Sequence, residues 1–222
     1  EGLRNDVSYL SCDACLSRYP VVEGVPNFVD QETINAQQKD QLKYFKHEKG
    51  TRNFEHNIEP WQKKYLERFI KNNPEIKGKV IADCGTGSAY MAIELAKLGA
   101  IVIATDLSFK SVLRLKIIAK ELALTDTLIC ICTVAEQLPF HNSVIDIFIS
   151  NSVLEHLHDE VGAIAEMNRV CTPKAELMIA IPIAYRYLNP LFIPLNYVHD
   201  KRIGHLRRYD EGSMQRKFSN WK

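Results

Sequence analysis

The chain has 222 residues, 46% of them hydrophobic, with 28 Lys and Arg against 27 Asp and Glu. That length fits one α/β domain with a small appendage, since domains run to about 100–200 residues. The near-zero net charge gives no bulk pull toward nucleic acid, and no apolar run reaches the ~18–20 residues of a transmembrane helix. No signal-peptide pattern opens the sequence. Six cysteines, three of them in or beside expected buried strands, read as reduced thiols of a cytoplasmic protein rather than a disulfide scaffold. The chain opens on Glu1 and stops at Lys222 directly after a helical pattern, which reads as a fragment.

Cys12 and Cys15 have the spacing of a two-ligand zinc knuckle, and residues 19–26 (YPVVEGVP) read as a strand and a turn. A structural zinc site closes with four ligands. Zinc is therefore expected only if a second pair lies upstream; otherwise the two cysteines simply pack. Residues 32–48 and 58–73 read as helices. The second carries Trp61, Tyr65, Leu66, Phe69 and Ile70 as an apolar stripe, and Pro74 and Gly78 mark the start of the main domain.

Lys79 to Leu98 (KVIADCGTGSAYMAIELAKL) reads as strand, tight glycine turn and helix. Glycine suits such a turn because it tolerates positive φ and lets a ligand approach the backbone. A dinucleotide fingerprint G-x-G-x-x-G starting at Gly85 requires glycine where Tyr90 stands. Residues 100–105 form a second buried strand ending at Asp106, 23 residues past Asp83. That is near the ~20-residue offset of a ribose-binding carboxylate; the same acid also suits the N-terminus of a helix at 108–123. Strands follow at 128–132, 144–150 and 175–181, with a helix at 159–171. Pro182 to His199 is apolar and aromatic, and Pro190 and Pro194 exclude a regular helix throughout. It reads as an insertion over the strand ends: a lid over an amphipathic substrate, a packing element or a dimer contact. Asp210 caps a final helix, 211–219. The alternation implies a doubly wound, mostly parallel Rossmann-like sheet with helices on both faces, plus a small N-terminal knuckle and a helical appendage. Its ligand belongs at the carboxyl ends of the strands.

In this order the motifs resemble those of the class I S-adenosylmethionine-dependent methyltransferases of the type 11 kind. D-x-G-x-G-x-A at Asp83–Ala89 is similar to motif I, whose third small residue is usually glycine. TDLS (Thr105–Ser108) is similar to the acidic motif II. TVAEQLPF (residues 133–140) is similar to the adenine-contacting turn, with Val134 where the family usually has an acid. KRIGHLRRY (residues 201–209) is similar to the late G-H-x-R-R-Y segment of many small-molecule and lipid- or sugar-linked methyltransferases. The N-terminal run is similar to half of a zinc-ribbon-like segment found ahead of some of these domains.

The resemblance implies a division at 1–30 (partial zinc-ribbon-like), 31–74 (helical appendage) and 75–222 (methyltransferase domain without its last strands). It implies S-adenosylmethionine as cofactor. Asp83, Gly85, Gly87 and Ala89 would form the turn beneath it. Asp106 would take the ribose hydroxyls, with Leu107 on the adenine face and Ala135 and Glu136 at the adenine turn, while Asn151 and Ser152 would meet the sulfonium. His156 and His205 are candidates for a base or an acceptor contact, and Arg207, Arg208 and Tyr209 for holding an anionic acceptor. His156-x-His158 shows no third ligand, so no metal site is expected there. The reaction would be an in-line methyl transfer to an O, N or C nucleophile of a small, amphipathic or lipid- or sugar-linked acceptor, with membrane-surface contact open. Three alternatives also stay open: a non-catalytic adaptor with this fold, an RNA methyltransferase and a nicotinamide-dependent oxidoreductase.

Overall fold

The structure is a computed structural model that describes residues 8–13, 16–29, 34–48, 58–219 and 221. Strands β1 (Ser8–Ser11), β2 (Arg18–Val22) and β3 (Val25–Pro26) form an antiparallel sheet. Glu23 and Gly24, at φ 51° and 70°, make its two-residue turn, the backbone that matches the twist of a tight hairpin. Cys12 is half-buried and unbridged; its knuckle partner Cys15 lies outside the described residues.

Five apolar runs become the main sheet: β4 (Val80–Cys84), β5 (Ile101–Asp106), β6 (Leu128–Cys132), β7 (Ile145–Asn151) and β8 (Cys171–Ala180). Their order is β6-β5-β4-β7-β8 and every neighbouring pair is parallel. Parallel strands are covered on both faces, which is why the central ones are mostly apolar on both sides. In β7, Ile147 and Ile149 pack into one cluster with Ile81 and Val102, while Phe148 between them packs into the other with Leu154 and Met167. Successive side chains leave a strand on opposite sides. The last strand starts at Cys171 rather than Ala175, because helix α5, as numbered below, stops at Val170 and a register irregularity between Ile145 and Ile147 absorbs the entry. The N-terminal sheet is fastened to this one. Asn27 bridges Cys132 in parallel, and Phe28 N–H donates to the Cys132 carbonyl at 2.8 Å.

Seven helices complete the described residues: α1 (Ala36–Glu48), α2 (Pro60–Asn72), α3 (Tyr90–Lys97), α4 (Phe109–Glu121), α5 (Glu160–Val170), α6 (Ile193–Ile203) and α7 (Glu211–Lys217). Ser108, Asp159 and Asp210 cap α4, α5 and α7 by accepting from the N–H groups of Ser111, Gly162 and Ser213. The insertion after β8 contains more helix than its prolines imply. Two short 3-10 turns (Tyr185–Tyr187 and Pro190–Phe192) lead into α6, with Pro194 in the first turn. Proline is tolerated there because no helical carbonyl awaits its missing N–H. Among the described residues no helix is long and apolar enough to cross a membrane.

Arg169 of α5 holds the loop between β6 and β7. Its Nη2 donates to the Leu138 carbonyl (2.9 Å) and its Nη1 to the Phe140 carbonyl (2.7 Å) and to Asn142 Oδ1 (2.9 Å). Its Nε donates to Glu166 Oε1 (2.6 Å), while Glu166 Oε2 accepts from Leu138 N–H (2.8 Å). Arg169→Ala is expected to lower stability by about 1–3 kcal/mol in urea denaturation. Arg169→Lys should recover only part of this, because an ammonium's three N–H groups leave a single nitrogen and cannot span the four acceptors that the planar guanidinium reaches.

Candidate active site

The carboxyl ends of β4, β5 and β7, with the segment after β6, open into a cavity of about 570 Å³. The turn from β4 into α3 is pinned to the neighbouring strand: Gly85 N–H and Thr86 N–H both donate to the Thr105 carbonyl, at 2.8 and 2.9 Å. Gly85 and Gly87 have φ of 71° and 51°. A Cβ at Gly85 would lie 2.4 Å from Val153 Cγ2, so glycine is required there by space as well as by conformation. Ala89 takes the same left-handed backbone, φ 59°, ahead of α3 and is 1% exposed. Its methyl packs in the hydrophobic core and is absent from the cavity wall. Ala89, expected beneath the cofactor, is thus the one member of the expected turn set that does not line the cavity.

Asp106 ends β5 in the cavity wall, its Oδ2 accepting from Gly87 N–H (3.1 Å) and its Oδ1 from Ser108 N–H (2.8 Å). Asp83, 4% exposed, accepts from Thr86 Oγ1 at 2.7 Å. Burial pushes its carboxyl up to about 6, with the Thr86 bond opposing and the Asp106 charge adding. Leu107, Ala135, Glu136, Asn151 and Ser152 also line the cavity. Burial raises the Glu136 carboxyl too; its Oε1 accepts from Gln38 Nε2 (3.4 Å). Ser152 stands at φ 57° and donates its N–H to the Ala180 carbonyl (2.9 Å), a left-handed position uncommon outside glycine.

His156 and His205 also line the cavity, their rings edge-to-face with centroids 4.8 Å apart. His156 Nδ1 lies 3.0 Å from Gln41 Nε2 and 3.2 Å from the Gly204 carbonyl. His205 Nδ1 lies 2.9 Å from Asp200 Oδ1, and its Nε2 3.6 Å from Glu155 Oε1. Burial lowers the His205 pKa and pushes the Glu155 carboxyl up to about 7. Asp200 behaves oppositely: burial raises it, but the Arg208 and Tyr185 hydrogen bonds prevail and hold it at about 2.

Arg207, Arg208 and Tyr209 do not line the cavity. Arg208 grips Asp200 with Nε and Nη2 (2.5 and 2.7 Å) and donates to the Ile183 carbonyl. Arg207 donates to the Leu154 and Leu157 carbonyls (3.3 and 2.7 Å) and faces Glu160. Tyr209 is 3% exposed. The basic segment that looked poised for an anion is turned inward and ties α6 to the segment after β7. Conversely, α1 supplies wall residues that sequence reasoning left out, Gln38 and Gln41, and α2, α3 and α6 add Trp61, Tyr90 and His199. The available signal in α1 was its run of glutamines on a helix with few apolar residues.

Residues 82–179 match the family model described as a methyltransferase domain. Among solved structures, the chain is similar to geranyl diphosphate methyltransferase in complex with GPP and sinefungin, at 14% identity and TM-score 0.68 over 84% of this chain and 80% of that one. It is similar to geranyl diphosphate C-methyltransferase from Streptomyces coelicolor A3(2), in complex with Mg2+, geranyl diphosphate and S-adenosyl-L-homocysteine, at 16% and 0.63 over 84% and 79%. It is also similar to the YcgJ protein from Bacillus subtilis, at 22% and 0.61 over 71% and 67%. At these identities the likeness establishes the fold. No curated protein sequence matches the chain.

Gly85→Ala is expected to cost about 1–3 kcal/mol in urea denaturation, from overpacking against Val153 and a left-handed non-glycine residue. Asp83 makes a pH-dependent contribution. Its folded pKa of about 6 lies above its ordinary 3.8, so between these values the native state keeps a proton that the unfolded chain has released. Its contribution to stability therefore falls as pH rises through that window. Asp83→Asn removes this titration. The stability difference between variant and parent, from urea midpoints, should move in the variant's favour from pH 4 to pH 6 and then level off.

Proposed function

We propose that the chain is a class I S-adenosylmethionine-dependent methyltransferase and that its strand-end cavity binds the cofactor beside the Gly85–Gly87 turn and an amphipathic acceptor toward His156, His205 and α6. The observation that carries this reading is the Asp106 carboxylate. It sits at the end of β5, oriented by Gly87 and Ser108 N–H groups, next to a turn in which Gly85 and Gly87 present bare backbone.

The residues fit the group. Asp106 would accept from the ribose hydroxyls, and Leu107 offers an apolar face for the adenine. Val134 cannot take the adenine amino group, so that bond falls to backbone near Ala135 or to Glu136, whose buried Oε2 has no hydrogen-bond partner. Asp83, Gly85 and Gly87 would border the amino-acid end, and Asn151 and Ser152 the sulfur. When bound, the cofactor supplies a methyl group on a positively charged sulfur, which the acceptor's nucleophile displaces in line. The protein's task is then chiefly to hold two reactants in line, an effect worth up to ~7–11 kcal/mol. A base is needed only where the nucleophile must lose a proton.

The acceptor class is read from α6 and the turn before it. His199 and Ile203 face the cavity, while Leu191, Leu195 and Val198 are 79%, 69% and 64% exposed. Apolar surface thus runs from outside to the mouth, which suits an acceptor with an apolar tail and a polar end. It also suits contact with a membrane surface from which such an acceptor is drawn. The geranyl diphosphate held by two of the structural neighbours is of this amphipathic type. Residues 34–48 and 58–72 act with the main domain as the cover of the site.

Calorimetric titration with S-adenosylhomocysteine tests the cofactor assignment. Saturable binding to the parent chain is expected, weakened at least ~10-fold in Asp106→Ala through loss of charge-assisted hydrogen bonds. A folded chain that takes up none of this ligand overturns the reading.

A further inference from the structure

Among the described residues one group of side chains can hold a metal ion, and it lies at the cavity wall: Glu155, His156 and His205, with ligand atoms within 4.8 Å of one another. We propose that these three residues form a divalent transition-metal site whose open positions take an oxygen atom of the methyl acceptor; only that last role rests on the methyltransferase reading.

The charge around Glu155 is the first argument. The residue is 1% exposed and neither carboxylate oxygen receives a hydrogen bond of ordinary geometry; the Ser152 hydroxyl and its own backbone N–H only partly offset its burial. Among the described residues no lysine or arginine pairs with it; its ion-pair contact is His205 Nε2 at 3.6 Å. Arg208, the nearby cation, is engaged by Asp200. A buried carboxylate needs a cation, hydrogen-bond donors or a proton of its own.

The histidines supply the second argument. Asp200 Oδ1 lies 2.9 Å from His205 Nδ1. The tautomer that donates there carries its lone pair on Nε2, facing Glu155 Oε1. Two acceptors so placed need a proton or a metal ion between them. Asp200, His205 and the gap beyond follow the order of a metal-bound imidazole whose outer nitrogen is held by a carboxylate. His156 Nδ1 lies between Gln41 Nε2 at 3.0 Å and Gly204 O at 3.2 Å; in the tautomer that donates to Gly204 O, Nε2 carries the lone pair that a metal needs. Bonds of ~2.0–2.2 Å set neighbouring ligands roughly 3–3.5 Å apart, so the group requires a modest inward contraction.

Two imidazoles and one carboxylate suit Mn2+, Fe2+, Co2+ or Zn2+ rather than Ca2+. Three protein ligands leave coordination positions open, and both histidines line the cavity. An acceptor oxygen bound there, from a hydroxyl, carboxylate or phosphate, would be fixed in place, and a hydroxyl would also be made more acidic.

The test is titration of Mn2+ alone into the full chain, followed by loss of the free-ion electron paramagnetic resonance signal, with S-adenosylhomocysteine calorimetry on the same preparations. One Mn2+ per chain is expected. Affinity should fall at least ~10-fold in His156→Ala, His205→Ala and the near-isosteric Glu155→Gln, and stay unchanged in the Cys12→Ser/Cys15→Ser double variant. Glu155→Gln carries the test if a histidine variant fails to fold. Uptake of neither Mn2+ nor Zn2+ by the folded parent overturns the proposal. So does uptake that survives His205→Ala and disappears in the double cysteine variant. Mn2+ uptake without S-adenosylhomocysteine binding keeps the metal site and sinks the cofactor reading.

Discussion

The strand-end site depends on one carbonyl. Thr105 O accepts from both Gly85 N–H and Thr86 N–H, and so fixes the β4–α3 turn against the end of β5. The turn's next N–H, from Gly87, then reaches Asp106. Two adjacent parallel strands thereby share a single hydrogen-bonded edge, and the acid stands where the backbone is bare. Remove the pin and neither the acid's orientation nor the approach to the backbone is defined. The left-handed conformations at Gly85, Gly87 and Ala89 follow from making this turn within so few residues.

A second ordering principle is the pairing of buried charge. Asp200 gathers Arg208, Tyr185 and His205, and this knot ties α6 to the turn at Tyr185 and to the segment that follows α6, which Arg207 in turn fastens to the segment after β7. Leu206 N–H donating to the Glu155 carbonyl at 2.8 Å ties the same elements. Because Arg208 neutralises Asp200, the imbalance is displaced to Glu155, which is buried beside two imidazoles without a cation of its own. The polar side of the cavity is therefore unlike the glycine-turn side. One presents backbone and a solvated acid; the other presents imidazole rings and a desolvated acid.

Much of this was legible in the chain. Apolar runs ending in Asp83, Asp106 and Asn151 mark strand ends, because periodicity and punctuation are local properties. Asp159 and Asp210 announced helix starts for the same reason. The appendage was legible as helix but not as a wall: Gln38 and Gln41 differ from any solvated glutamines until α1 is seen over the cavity. The basic run at 201–208 misled in the opposite sense. Exposed and engaged arginines look alike in a sequence: Lys201 and Arg202 are exposed, while Arg207 and Arg208 are held by Glu160 and Asp200, on α5 and α6.

The sequence by itself determined the strand–turn–helix order, the parallel sheet and the placement of Asp83, Gly85, Gly87 and Asp106 at its carboxyl edge. These follow from side-chain period, glycine conformation and the crossover rule, all short-range. Tertiary structure decided which side of the sheet Ala89 faces and which cations are already engaged. It also decided that His156 and His205, from distant parts of the chain, stand edge to face beside Glu155. Those outcomes depend on how α6 packs back over the strand ends, and a packing angle is a sum over many weak contacts that no local pattern encodes.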